Sequence, residues 1–183
     1  MSEHIPEQST PRVRRAPVIA VCGSGVENAR LNALAEVVGE LIARHGAVLV
    51  CGGLGGVMAA ACRGAARAGG LTVGVLPQAD PEAANPYVAL AIATGMGQAR
   101  NVALVQSADA VIAIGGEYGT LSEIALARKM GRPVVGLMTW DLGAPHLVAV
   151  ASPEEAVEQA LRLATATRDA RRQAGNAAVA GES

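Results

Sequence analysis

The sequence is poor in aromatic side chains: Tyr87, Tyr118 and Trp140 stand alone among 183 residues, and phenylalanine is absent. A protein that reads nucleic acid by stacking bases on aromatic platforms is thereby disfavoured. Lysine is scarcer still, with Lys129 alone against fourteen arginines. No Gly-Lys-Ser/Thr of a Walker loop can be assembled. Lys129 also falls at the far end of a helix from the nearest glycine turn, so no lysine is placed for a pyridoxal phosphate Schiff base. The three cysteines, Cys22, Cys51 and Cys62, are odd in number and lack CxxC spacing. That argues against a disulfide framework and a structural zinc site, and each reads as a small buried apolar group. No His/Asp/Glu spacing suggests a metal site.

Excess charge is missing too. The formal net charge is -1 and the pI near 6.3, so no basic field draws the chain toward nucleic acid or an anionic membrane. No run of about 18 apolar residues exists to cross a bilayer. The polar N-terminus, Met1 to Pro17, lacks the apolar stretch of a signal peptide. The expectation is a soluble, cytoplasmic protein without membrane or nucleic-acid partners.

What the chain does hold is apolar surface and glycine: 51% hydrophobic residues, 17% charged, and 22 glycines. This is a core-forming composition for one domain. Residues 1–16 read as a flexible arm, 17–164 as the folded domain and 165–183 as a flexible tail. Within the domain, short apolar runs alternate with segments of helical spacing. Val18 to Cys22, Ala47 to Cys51, Thr72 to Leu76, Ala110 to Ile114 and Pro133 to Leu137 are strands, with weaker ones over Val88–Ile92 and His146–Val150. Their continuous apolarity predicts an α/β fold: a doubly wound parallel sheet of about seven strands, covered on both faces. Ser152, Pro153 and Glu155 supply an N-cap, N1 and N3 for a last helix.

Ligands of such sheets sit beyond the carboxyl ends of the strands. Three glycine turns fall there: Gly23-Ser24-Gly25, Gly52-Gly53-Leu54-Gly55-Gly56 and Gly115-Gly116-Glu117-Tyr118-Gly119. Each leads into a helix, whose free N–H groups and dipole favour an anion, typically phosphate. One such loop is no more than a tight turn; three on one edge point to a nucleotide or another phosphorylated ligand. The dinucleotide fingerprint is incomplete, so NAD binding is disfavoured. Thr120 and Glu123 have two readings: a capping box, Thr120 at the N-cap and Glu123 at N3, or a carboxylate one turn from an anion site. Arg100 is either a surface arginine or the partner that neutralises the ligand's charge. Asp109 reads as a turn residue, and Trp140 and Asp141 lie where they could line the crevice.

Cys22-Gly-Ser24, Gly52-Gly-x-x-Gly-Val-Met58, Gly95-Met-Gly-Gln-Ala-Arg-Asn101 and Gly115-Gly-Glu-Tyr-Gly-Thr-Leu-Ser-Glu123 occur in this order. As a set they resemble the Lonely Guy superfamily, from about Val18 to Leu137. The resemblance implies a Rossmann-like fold, a homodimer or homotetramer, and hydrolysis of the N-glycosidic bond of nucleoside 5′-monophosphates to free base and ribose 5-phosphate. It implies that Arg100 and Glu123 are the catalytic pair, with no metal or redox cofactor required. Members often carry the label lysine decarboxylase, which the lysine placement here speaks against.

The signature Pro-Gly-Gly-x-Gly-Thr-x-x-Glu falls on Gly115 to Glu123, with glycine in place of its proline and Glu117 in place of its second glycine. Asn101 stands where the family has lysine. These departures are similar to a sister branch, the molybdenum cofactor carrier proteins, which bind a phosphorylated pterin without known turnover. Two expectations follow. As a phosphoribohydrolase, the chain would hold phosphate on the amides of Gly116, Gly119 and Thr120, with Gly52, Gly53, Gly56, Gly115 and Glu117 also among the substrate- or phosphate-binding residues. The base would lie near Gly23, Ser24 and Met96. As a carrier, the same loops would hold a nucleotide or the molybdenum cofactor, Glu117 would modify specificity, and Arg128 or Arg100 would pair with it.

Overall fold

The computed structural model describes residues 15–143 and 145–180, with side chains as far as residue 173. The expected arm lies outside the described residues except for its last two, Arg15 and Ala16. The chain alternates β1 (Val18–Gly23), α1 (Ala29–Arg44), β2 (Val48–Cys51), α2 (Gly56–Arg67), β3 (Thr72–Leu76), β4 (Leu90–Ala93), α3 (Arg100–Ser107), β5 (Ala110–Ile114), α4 (Tyr118–Lys129), β6 (Val134–Leu137), β7 (Val148–Val150) and α5 (Pro153–Ala180). One sheet holds all seven strands in the order β4-β3-β2-β1-β5-β6-β7, and every pairing is parallel. The fold is the expected Rossmann-like one.

The apolar runs are continuous because both faces of the sheet are buried. Ile19 and Val21 point to one face, against Val38 and Ile42 of α1, Val57 and Ala61 of α2 and Val157 of α5. Ala20 and Cys22 point to the other, against Leu104 and Val105 of α3 and Ile124 and Ala127 of α4. Each fully buried Leu, Ile or Val contributes about 1.5–3 kcal/mol. Where α1 crosses α2, Gly39 lies against the backbone of Ala61 and Gly64 against that of Glu36, with no room for a Cβ.

The last helix starts where its residues predict. The Ser152 hydroxyl accepts from the Glu155 N–H at 3.2 Å, and Pro153 opens the first turn. It does not end near residue 164. The stretch expected as a flexible tail continues as helix to Ala180. Its Ala- and Arg-rich composition favours helix, and ionic contacts rather than an apolar stripe bind it to the domain. Arg171 reaches Asp109 at 3.2 Å, Arg15 reaches the same carboxylate at 2.5 Å, and the Arg168 guanidinium donates to the Arg15 carbonyl. Asp109 sits in the bend before β5, and it does more than turn the chain. It is fully buried and also accepts from the Val18 N–H at 3.0 Å.

The sheet order reverses between β1 and β5, so the chain leaves these neighbours toward opposite faces. That divergence opens a crevice at their carboxyl ends. The turns after β1, β2 and β5 and the start of α3 all arrive there.

Candidate functional site

The turn after β5 is built by Gly115 and Gly116, whose φ values of 56° and 116° are adopted readily only by glycine. The Gly115 carbonyl accepts from the Thr139 hydroxyl, which pins the turn to the loop after β6. Helix α4 begins at Tyr118, two residues before the expected start, and Glu117 occupies the N-cap position without a side-chain cap bond. The capping box is not formed: Thr120 and Glu123 lie inside the helix, and both are buried. Thr120 is turned inward against Gly116. The first bond closing onto the turn runs from the Leu121 N–H to the Glu117 carbonyl at 3.0 Å. The amides of Tyr118, Gly119 and Thr120 are thus the unpaired first N–H groups of the helix.

Glu123, one turn further on, meets Arg100, the first residue of α3. The Arg100 Nη1 donates to Glu123 Oε1 at 3.2 Å and to Asn101 Oδ1 at 2.6 Å. Glu123 is 7% exposed and Arg100 5%. The Arg100 Nε is buried and has no partner among the described residues. Gly52 permits this placement, because a Cβ there would collide with the guanidinium. Burial pushes the Glu123 carboxyl above its ordinary value, and the Arg100 charge opposes that shift. The Cys22 thiol lies against the same carboxylate. Burial, first, and the Glu123 charge, second, push the thiol well up, so it stays protonated.

These groups line a hollow of about 170 Å³. Of the residues predicted from sequence, it brings together Gly23, Ser24, Arg100, Glu117, Gly119, Thr120 and Glu123. Gly52 backs Arg100, and Gly53 packs on Leu76 behind the turn. Gly56 starts α2, where its N–H donates to Glu27 Oε1 at 3.2 Å. Gly115 is buried against Leu31, and Gly116 faces a neighbouring hollow. Met96 is 55% exposed and is not on the wall of either hollow. Leu54, Met58, Gln98 and Asn101 also line the first hollow, and sequence reasoning assigned none of them a role. Asn101 could have been found from its place beside Arg100; the other three carry no chemical signal of their own.

Glu117 is exposed, and no cation pairs with it among the described residues. The anticipated partners are otherwise placed: Arg100 is bound to Glu123, and Arg128 is exposed near the end of α4. Tyr118, 81% exposed, meets Trp140 with ring centroids 5.9 Å apart. The Trp140 indole N–H donates to the Glu117 carbonyl at 3.4 Å. Asp141 caps its own turn through the Gly143 N–H and lines neither hollow. Among the described residues no group of three metal-ligating side chains occurs, and no helix is long and apolar enough to cross a membrane.

The arrangement supplies unpaired amides for an anion, a buried guanidinium whose Nε and Nη2 have no partner among the described residues, and a carboxylate whose proton affinity is raised. Known proteins share its frame. A molybdenum cofactor binding protein from Rippkaea orientalis is 39% identical, with a TM-score of 0.76, over 80% of this chain and 96% of that one. The Moco carrier protein of Chlamydomonas reinhardtii is 36% identical, with a TM-score of 0.75, over 81% and 98%. An uncharacterised protein of Archaeoglobus fulgidus is 50% identical over 119 residues, 65% of this chain and 78% of that protein. The profile of the SLOG cluster4 family spans residues 16–168, from just before β1 into α5, and takes in every turn that reaches the crevice; the chain belongs to that family.

Proposed function

We propose that the protein binds and carries a phosphorylated small molecule of the molybdenum cofactor type. The observation that carries this reading is the pairing of two unsatisfied donor sets on one wall. The free amides of Gly119 and Thr120 open α4 on the wall of the hollow, and the Arg100 guanidinium, whose Nη2 has no hydrogen-bond partner among the described residues, lines the same hollow. An anion satisfies both. The hollow of about 170 Å³ is smaller than the roughly 300 Å³ at which enclosing ligand pockets begin. It suits one end of a ligand whose remainder stays accessible, as transfer to another protein requires. The likeness to a cofactor binding protein and a carrier protein supports the same class of cargo. The residues present fit the phosphate end of that cargo: Gly119 and Thr120 by their amides and Arg100 by its guanidinium. The dithiolene chemistry belongs to the cargo.

A second reading rests on Glu123. A carboxylate with raised proton affinity beside a buried arginine is the pair that a phosphoribohydrolase uses to protonate a leaving base or activate water. Calorimetry with molybdopterin and with nucleoside monophosphates, followed by chromatography for free base, separates the readings. The expected result is binding without base release, weakened about tenfold or more by Arg100→Met. Release of base that is lost in Glu123→Gln would establish the hydrolase instead. We further infer a homodimer or homotetramer and a cytoplasmic setting, readings supported by the family resemblance.

A further inference from the structure

The end of the sheet opposite the crevice carries a concentration of charge that the cargo hollow does not use. The chain as a whole has a net charge of -1, yet its fold gathers Arg15, Arg168, Arg171 and Arg172 around one groove. Arg15 comes from the segment entering β1, and the other three from α5. Their i, i+3, i+4 spacing puts those three on one side of the helix, where like charges repel. Two carboxylates offset the four cations only in part. Asp109, fully buried beneath them, accepts from Arg15 at 2.5 Å and from Arg171 at 3.2 Å. Asp169 is exposed on the groove wall.

The fold spends little of the arginines' bonding capacity. A guanidinium has five N–H donors. Arg15 and Arg171 each give one bond to Asp109, and Arg168 gives one to the Arg15 carbonyl. Arg172 is exposed and gives none among the described residues. The groove runs between the entering segment and α5 in two parts, of about 470 and 240 Å³, which share Arg15, Arg168 and Arg172. Ala16, Pro17 and Thr165 complete the wall of the larger part, which has the size of a small-molecule site. The six residues of β1, at about 3.3 Å each, set this groove about 20 Å from the crevice.

We propose that the groove is a second anion site, separate from the crevice, for a compact polyanion: two or more linked phosphate groups, as in pyrophosphate or the polyphosphate tail of a nucleotide. A guanidinium fork takes two phosphate oxygens at once. Linked phosphates offer enough oxygens for the three arginines common to both parts, and enough charge to relieve their repulsion. A nucleic acid strand is less suited. The cations are confined to one groove instead of forming a track, and no aromatic side chain lines it for stacking. The proposal does not depend on what the crevice binds.

The test is calorimetry on the full chain with orthophosphate, pyrophosphate, ADP and a single-stranded oligonucleotide, at about 50 mM and about 150 mM salt. We expect pyrophosphate to bind about tenfold or more tightly than orthophosphate, and less tightly at the higher salt. Arg172→Gln removes no bond among the described residues and should weaken pyrophosphate about fivefold or more, as should Arg168→Gln. Arg162→Gln is the control. It removes one charge from the same helix, at a side chain that bonds Gln159 and lines neither part of the groove, and should change affinity less than about twofold. A melting curve for each variant separates loss of binding from loss of fold. ADP binding as tightly as pyrophosphate identifies a nucleotide tail, and ADP binding more weakly identifies the free ion; either supports the inference. Four results overturn it: pyrophosphate no tighter than orthophosphate, equal losses in Arg162→Gln and Arg172→Gln, an oligonucleotide bound more tightly than pyrophosphate, or pyrophosphate binding lost in Arg100→Met and kept in Arg172→Gln. None of the four removes the proposed function of the crevice.

Discussion

Arg100 and Glu123 neutralise one another only in part: the guanidinium Nε and Nη2 have no partner among the described residues, and the carboxyl is held above its ordinary proton affinity by burial. That shift has a sign that can be tested. With the folded value above the unfolded one, the stability Glu123 contributes is complete below the unfolded carboxylate value of about 4.3 and is lost as pH rises through the folded value. Glu123→Gln removes this titration. The difference in Tm between variant and parent should therefore move in the variant's favour as pH rises above the unfolded carboxylate value, and a constant difference would refute the assignment. At this scale the sequence revealed chemistry through type and motif. Arg100 and Glu123 stand out on both grounds, whereas Met96 fits a motif and lines neither hollow. Asp109 was illegible, because its cationic partners lie 94 and 62 residues away and only the fold brings them together.

The amino terminus of α4 illustrates how an element can be located correctly and mis-phased. Thr-x-x-Glu has the form of a capping box, but Gly115 and Gly116 turn the chain early enough to start the helix at Tyr118. The two side chains that would have capped it are rotated inward, and the first-turn amides stay open for a ligand. By contrast Ser152, Pro153 and Glu155 behave as their local pattern states, because nothing nonlocal competes for them. The crossing of α1 and α2 gives a prediction at this scale. In a solvent-facing helix, Gly→Ala stabilises by about 1 kcal/mol. At Gly39 the added Cβ meets the Ala61 backbone, which cannot move aside as a side chain would. Overpacking typically costs about 1–3 kcal/mol, so Gly39→Ala should lower the urea midpoint instead of raising it.

For the molecule as a whole, the parallel sheet and its strand number were the legible part: continuous apolar runs alternating with helices permit little but a covered parallel sheet. How the segment entering β1 meets the closing helix was not legible. Asp109, below the amino ends of β1 and β5, receives Arg15 from the segment entering the sheet and Arg171 from the closing helix. Asp109→Ala strips both contacts and the acceptor of the Val18 N–H. Since the two arginines can turn to water, the expected cost is the orphaned amide and lost ion pairs, about 2 kcal/mol, or roughly 5 °C in Tm. Helical circular dichroism should fall with it if the helix beyond residue 164 depends on this carboxylate. One last property follows from scarcity. The chain has a single tryptophan, and its indole N–H is tied to the backbone of the turn that precedes α4. The protein thus carries an unlabelled optical reporter at the mouth of its cleft, and the colour of its emission tracks whether that turn is wet or covered.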